Sequence, residues 1–132
     1  MAENKLSLQI ITPTRAVLNI QVDNVVLRTL EGDMGVYYDH EPVVTLLGYG
    51  VLRYKVGGKL HKVTTMGGFA EITQDRVVVL TDASELEEEI DFERAKAAKE
   101  RAEGRLGQND LDISRAQIAL HKALVRLDMQ KK

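Results

Sequence analysis

The chain has 132 residues, enough for one ordinary domain, or for one compact domain carrying an appendage too small to fold alone. Eighteen basic against 20 acidic residues leave a formal charge of −2, which provides no bulk attraction to nucleic acid or anionic lipid. The lack of cysteine excludes disulfides, thiolate metal sites and a cysteine nucleophile, while 44% hydrophobic content with 5% aromatics points to a core of Val, Leu, Ile and Ala.

The opening Met1 to Ile11 has neither the apolar core nor the cleavage region of a signal peptide. No apolar run approaches the roughly 18 residues of a membrane-spanning helix, so a membrane location is expected only through a partner. From Leu6 to Leu80 the text reads as short alternating segments: Leu6 to Ile10, Ala16 to Val22, Val25 to Leu30, Val51 to Val56, Lys59 to Thr64 and Arg76 to Leu80. Turn chemistry separates them, at Thr12-Pro13-Thr14, Glu31-Gly32-Asp33, Gly57-Gly58 and Gln74-Asp75. Gly57-Gly58 between two alternating runs is the clearest hairpin, and Gly67-Gly68 reads as a kink within a strand. The pattern predicts an antiparallel all-β sandwich or flattened barrel over residues 1–84.

At Ser84 the texture changes to Glu85-Leu86-Glu87-Glu88-Glu89-Ile90 and then to strong helix formers from Asp91 onward. Asp91 suits a helix N-cap, the segment ends between Gly104 and Gln108, and Asp110 or Asp112 caps a second helix reaching about Met129. Ala95, Ala98, Ala102 and Leu106 form one seam; Ile113, Ala116, Leu120, Ala123 and Leu127 form its counterpart. Residues 85–132 therefore read as an antiparallel two-helix hairpin. Its alanine-rich seams bury little apolar area, so only a marginal attachment to the rest of the chain is expected.

Candidate sites are few. His40, His61 and His121 fall on different elements without metal-ligand spacing, and no nucleophile elbow or phosphate-cradling loop is present. No catalytic or metal residue is predicted. Arg94 and Arg101, seven apart, share a helix face, and an antiparallel partner returns Lys122 and Arg126 toward them. Such a cation cluster suits phosphate oxygens. In the second helix Arg115, Lys122 and Arg126 form a basic stripe, which reads either as a solvated face or as a surface for an acidic partner or phosphate.

These residues carry a recognisable pattern. Leu8-Gln9-Ile10-Ile11-Thr12-Pro13, Gly32-Asp33-Met34-Gly35-Val36 leading to His40-Glu41-Pro42, the run Gly68 to Asp82, and Ile90-Asp91-Phe92-Glu93-Arg94-Ala95 appear in order and at matching spacing. The chain resembles, over its whole length, the epsilon subunits of bacterial F-type ATP synthases, in their bacillus-like form. The resemblance implies a non-catalytic subunit whose β-domain docks on the gamma subunit and the membrane rotor ring. Its helical hairpin would fold back, or extend toward the alpha and beta subunits of the catalytic head and restrain ATP hydrolysis through Arg115, Lys122 and Arg126. It further implies a rotor-ring contact at Glu31 and His40, and a place on the cytoplasmic face of the cell membrane through the complex, without insertion. No cofactor is required, and ATP is implied as a regulatory ligand held by Glu85, Ile90, Asp91, Arg94, Ala95, Arg101, Lys122 and Arg126. Lys122 stands where an arginine is usual, and Tyr37-Tyr38-Asp39-His40-Glu41-Pro42 replaces text closer to Leu-Pro-Gly-His-Ala-Pro. The rival reading is a free-standing nucleotide-binding sensor whose ligand switches a helical pair.

Overall fold

The computed structural model describes residues 5–106 and 113–130. Its strands, in chain order, are β1 (Leu6–Ile11), β2 (Ala16–Val22), β3 (Asn24–Thr29), β4 (Gly32–Val36), β5 (Val43–Leu46), β6 (Tyr49–Val56), β7 (Lys59–Met66), β8 (Phe69–Ile72) and β9 (Arg76–Leu80). Helices α1 (Phe92–Leu106) and α2 (Ile113–Asp128) follow. The strands make two sheets, one in the order β2-β1-β9-β8-β5 and one in the order β4-β3-β6-β7. The expected sandwich and helix pair are both present.

Period-two alternation builds the core. In β1, Leu6, Leu8 and Ile10 are fully buried while Ser7, Gln9 and Ile11 are only half-buried. They meet Val25, Leu27, Leu52, Tyr54 and Val63 from the second sheet and Val77 and Val79 from their own. Gly57 and Gly58 have φ of +58° and +80° and close the β6–β7 hairpin, where the double glycine predicted it.

Three expectations are corrected. The sheets are not wholly antiparallel: β1 runs parallel to β9, from Ser7 beside Arg76 to Ile11 beside Leu80. Alternation reports which face a residue takes and carries no strand direction, so the pattern alone could not reveal this. Gly67-Gly68 is no kink inside a strand but the corner by which the chain leaves β7 in one sheet for β8 in the other. A Cβ on Gly68, at φ +96°, would lie 2.0 Å from the Leu80 carbonyl oxygen, so only glycine fits. Finally, Gly32–Val36, which reads as a turn, is strand β4, and β5 and β8 are strands that the pattern does not mark, because glycines and short length weaken their signal.

The link from β4 to β5 keeps a defined shape without the usual glycine. Asp39 adopts φ +71°, which Asp tolerates better than most residues. Its backbone N–H donates to the Gln74 carbonyl at 2.7 Å, and its carboxylate accepts from Gln74 Nε2 at 3.0 Å.

The chain then returns along the free edge of β7. Thr64 N–H donates to the Glu85 carbonyl at 3.0 Å, Glu85 N–H to Thr64 Oγ1 at 2.9 Å, and Met66 N–H to the Ala83 carbonyl at 3.2 Å. The Thr64–Met66 end of that edge is thereby closed to other strands.

Asp91 begins α1 as the capping chemistry predicts, its Oδ1 accepting the Arg94 backbone N–H at 3.1 Å. The loop ends expected between Gly104 and Gln108 and at Asp110 or Asp112 fall partly or wholly outside the described residues. Ala95, Ala102, Ala116 and Ala123 are buried along the seam between the helices. The hairpin is nevertheless better seated than alanine alone allows. Val125 and Met129, lying off that seam, are buried with Val51, Met66 and Ile90 in an apolar cluster separate from the sandwich interior.

Candidate functional site

Between the linker and the two helices lies a cleft of about 440 Å³. Glu85, Glu89, Asp91, Arg94, Ala95, Ala98, Arg101 and Arg126 line it. Helical spacing puts Arg94, Ala98 and Arg101 on one face of α1, and the antiparallel return of α2 brings Arg126 across from them. Arg126 Nε donates to Glu85 Oε1 at 2.5 Å, tying the last turn of α2 to the linker. Arg94 and Arg101 are exposed and have no ion-pair partner among the described residues.

Of the residues that the resemblance implies for ATP, Glu85, Asp91, Arg94, Ala95, Arg101 and Arg126 share this cleft, whereas Ile90 and Lys122 do not line it. Ile90 is buried beside Val125 and Met129, beneath the helix start. Lys122 is half-buried on α2, so the expected convergence of four cations is a convergence of three guanidinium groups. The sequence pattern overlooked Glu89 and Ala98. Its position in the seam hides Ala98, although the face it shares with Arg94 and Arg101 is a usable signal. Glu89 is masked by its place in an acidic run.

Glu89 is the most perturbed carboxylate of the region. Arg15, on the turn between β1 and β2, donates from Nη1 to Oε2 at 2.6 Å and from Nη2 to Oε1 at 2.7 Å. The Leu86 backbone N–H adds a third bond to Oε1 at 2.8 Å. The Arg15 hydrogen bonds and then the backbone donor hold the Glu89 carboxyl down at about 2. Arg15 Nη2 also reaches the Ser84 carbonyl at 3.1 Å, and its guanidinium is pushed up in return, chiefly by the bond to Glu89.

Glu31 lies exposed in the turn between β3 and β4. His40 lies in the β4–β5 link, with Nδ1 donating to the Glu41 carbonyl at 2.7 Å. His61 stacks on Tyr54 with ring centroids 5.2 Å apart, and His121 meets Tyr49 edge-on at 6.2 Å. Among the described residues, no group of three His, Asp or Glu side chains is placed to hold a metal ion. No described helix is long and apolar enough to cross a membrane.

Residues 5–87 match the ATP synthase delta/epsilon chain β-sandwich domain, and residues 88–130 match the long α-helix domain of the same family. The chain belongs to the ATP synthase delta/epsilon family. An ATP synthase epsilon chain of Desulforamulus reducens is 47% identical over 122 residues, covering 91% of this chain and 92% of the relative. One from Syntrophobacter fumaroxidans is 46% identical over 134 residues, covering 100% and 99%. Among solved structures, a chain in the OSCP/F1/c-ring assembly of the Euglena gracilis mitochondrial ATP synthase superposes with a TM-score of 0.84 at 29% identity. That match covers 95% of this chain and 80% of the other. This epsilon-type chain is a subunit of the synthase and not its catalyst.

Proposed function

We propose that this epsilon-type chain is a rotor component of the central stalk whose cleft senses ATP and whose helices restrain ATP hydrolysis. The observation that carries the sensing is the cleft itself, where Arg94, Arg101 and Arg126 converge from two helices beside the capped start of α1. Arginine forks match phosphate oxygens, and a ligand bridging α1, α2 and the linker binds the folded hairpin alone. ATP therefore biases the hairpin toward its folded form. Calorimetric titration of the full chain with ATP tests this. Wild type binds, and Arg94→Ala weakens binding at least tenfold; absence of wild-type binding removes the sensing role.

Inhibition and the folded hairpin compete for one side chain. Arg126 is engaged by Glu85 in the folded form and belongs to the basic stripe with Arg115 and Lys122. An extended α2 carries all three toward acidic surfaces of the alpha and beta subunits, where charge attraction supplies the restraint.

For docking, an apolar band crosses the outer face of the five-stranded sheet: Leu46 beside Phe69, Phe69 beside Leu80, and Leu80 beside Ile11. Leu46 is 61% and Phe69 40% exposed, with Val44 at 63% on the edge strand. Such a contiguous patch suits a permanent protein partner, here the gamma subunit. The Glu31 turn and the His40 link are assigned to the rotor ring. The Euglena gracilis assembly, which contains F1 and the c-ring, supports this set of partners. The subunit then lies peripherally on the cytoplasmic face of the cell membrane, held through the complex.

A further inference from the structure

The cleft faces a charge problem that its own walls do not solve. Its lining carboxylates are Glu85, Glu89 and Asp91, and its lining guanidinium groups are Arg94, Arg101 and Arg126, so the formal charges cancel. A neutral wall gives little attraction to a polyanion. Glu85 is matched within the wall by Arg126, and Asp91 points its Oδ1 at the first turn of α1. Glu89 has no lining guanidinium as its ion-pair partner among the described residues; its partner comes from elsewhere, Arg15 on the β1–β2 turn.

We infer that Arg15, a sandwich residue outside the cleft lining, is a positioning residue for anion binding in the cleft. It neutralises Glu89 and fixes the linker wall, so that four guanidinium groups, Arg15, Arg94, Arg101 and Arg126, stand against the three carboxylates Glu85, Glu89 and Asp91. The inference rests on the ATP-sensing reading and deepens it by assigning a role to a residue 74 positions before Glu89 in the chain.

The geometry supports this function. The pair is bidentate, with bonds of 2.6 and 2.7 Å, a form that fixes orientation as well as charge. Arg15 is itself braced, since its backbone N–H donates to Thr12 Oγ1 at 3.2 Å and its carbonyl accepts from Thr12 N–H at 2.9 Å. The same guanidinium reaches the Ser84 carbonyl, so the β1–β2 turn grips the linker at both ends of the segment 84–89. The lowered pKa of Glu89 agrees with a carboxylate that stays charged and satisfied over the physiological range.

The test is calorimetric titration of the full chain with ATP at low salt, for wild type, Arg15→Gln, Glu89→Gln and the double variant, with thermal melts as a check on folding. Arg15→Gln leaves a bare carboxylate in the wall and weakens ATP binding by about threefold to tenfold. Glu89→Gln binds at least as well as wild type, and the double variant recovers most of the loss, because it restores the charge balance without the bond. A double variant as weak as Arg15→Gln shows that neutralising Glu89 plays no part and overturns the inference, as does an Arg15→Gln variant that binds like wild type. If wild type fails to bind ATP, the sensing reading falls. Hydrogen exchange then still decides the positioning half: Arg15→Gln speeds exchange at Leu86, and unchanged exchange there overturns it too.

Discussion

Replacing Met129 by Ala isolates the attachment of the helices from the stability of the sandwich. Met129 is 1% exposed and packs with Val51, Met66, Ile90 and Val125, a cluster distinct from the sandwich interior. Burying a Met and then truncating it to Ala costs about 2–5 kcal/mol in a rigid core. The lower end applies here, because the seat is a single layer between a helix and a sheet, into which the helix can settle. About 2 kcal/mol shifts the equilibrium between seated and released hairpin by up to about 30-fold. Hydrogen exchange read by mass spectrometry is the assay: amides of α1 and α2 speed up by that order while those of β6 and β9 are unchanged. Unaltered exchange in α2 would mean that the cluster does not hold the hairpin. Equal acceleration in β9 would mean that hairpin and sandwich open as one unit.

Two further outcomes are expected. Changing Arg115, Lys122 and Arg126 together to Glu raises ATP hydrolysis by the reconstituted synthase at low salt, with a smaller rise at high salt where exposed charges are screened; unchanged hydrolysis at low salt reduces the stripe to a solvated face. For pH, the Glu89 carboxyl ionises near its ordinary 4.5 when unfolded and at about 2 when folded. Its contribution to stability is therefore whole above pH 4.5 and is lost as pH falls from there toward 2. Acid denaturation of Arg15→Gln should show a shallower loss across that window than wild type, and identical curves would refute the pairing.

What could be read from the chain was what depends on neighbours in sequence. The Gly57-Gly58 hairpin, the Asp91 cap and the alternation of Leu6, Leu8 and Ile10 follow from local backbone chemistry and face periodicity. The shared face of Arg94 and Arg101 follows from helix geometry. Arg15 beside Glu89 did not, since nothing in the turn Thr12 to Arg15 announces a partner 74 residues on. Val125 and Met129 were hidden for a related reason: the alanine seam accounts for helix against helix, whereas these two residues answer to the sheet beneath α2. Lys122 is expected in the cleft from its angular position on α2 and from the resemblance, and the observed packing leaves it outside the lining. Asp39 shows the converse, a departure from the expected glycine whose backbone still takes φ +71° with support from Gln74.

Because β1 is an interior strand with β9 as a neighbour, β1 waits about 70 residues of synthesis for half of its hydrogen bonds. At 5–20 residues per second that delay is on the order of 4–14 s. Throughout it, the hairpin of β1 and β2 exposes the edge that β9 will cover, together with Leu8 and Ile10, an unpaired edge of the kind that templates aggregation. β9 ends the wait. The helices emerge afterwards onto a platform already assembled, and Val51 and Met66 are in position before Val125 and Met129 are made.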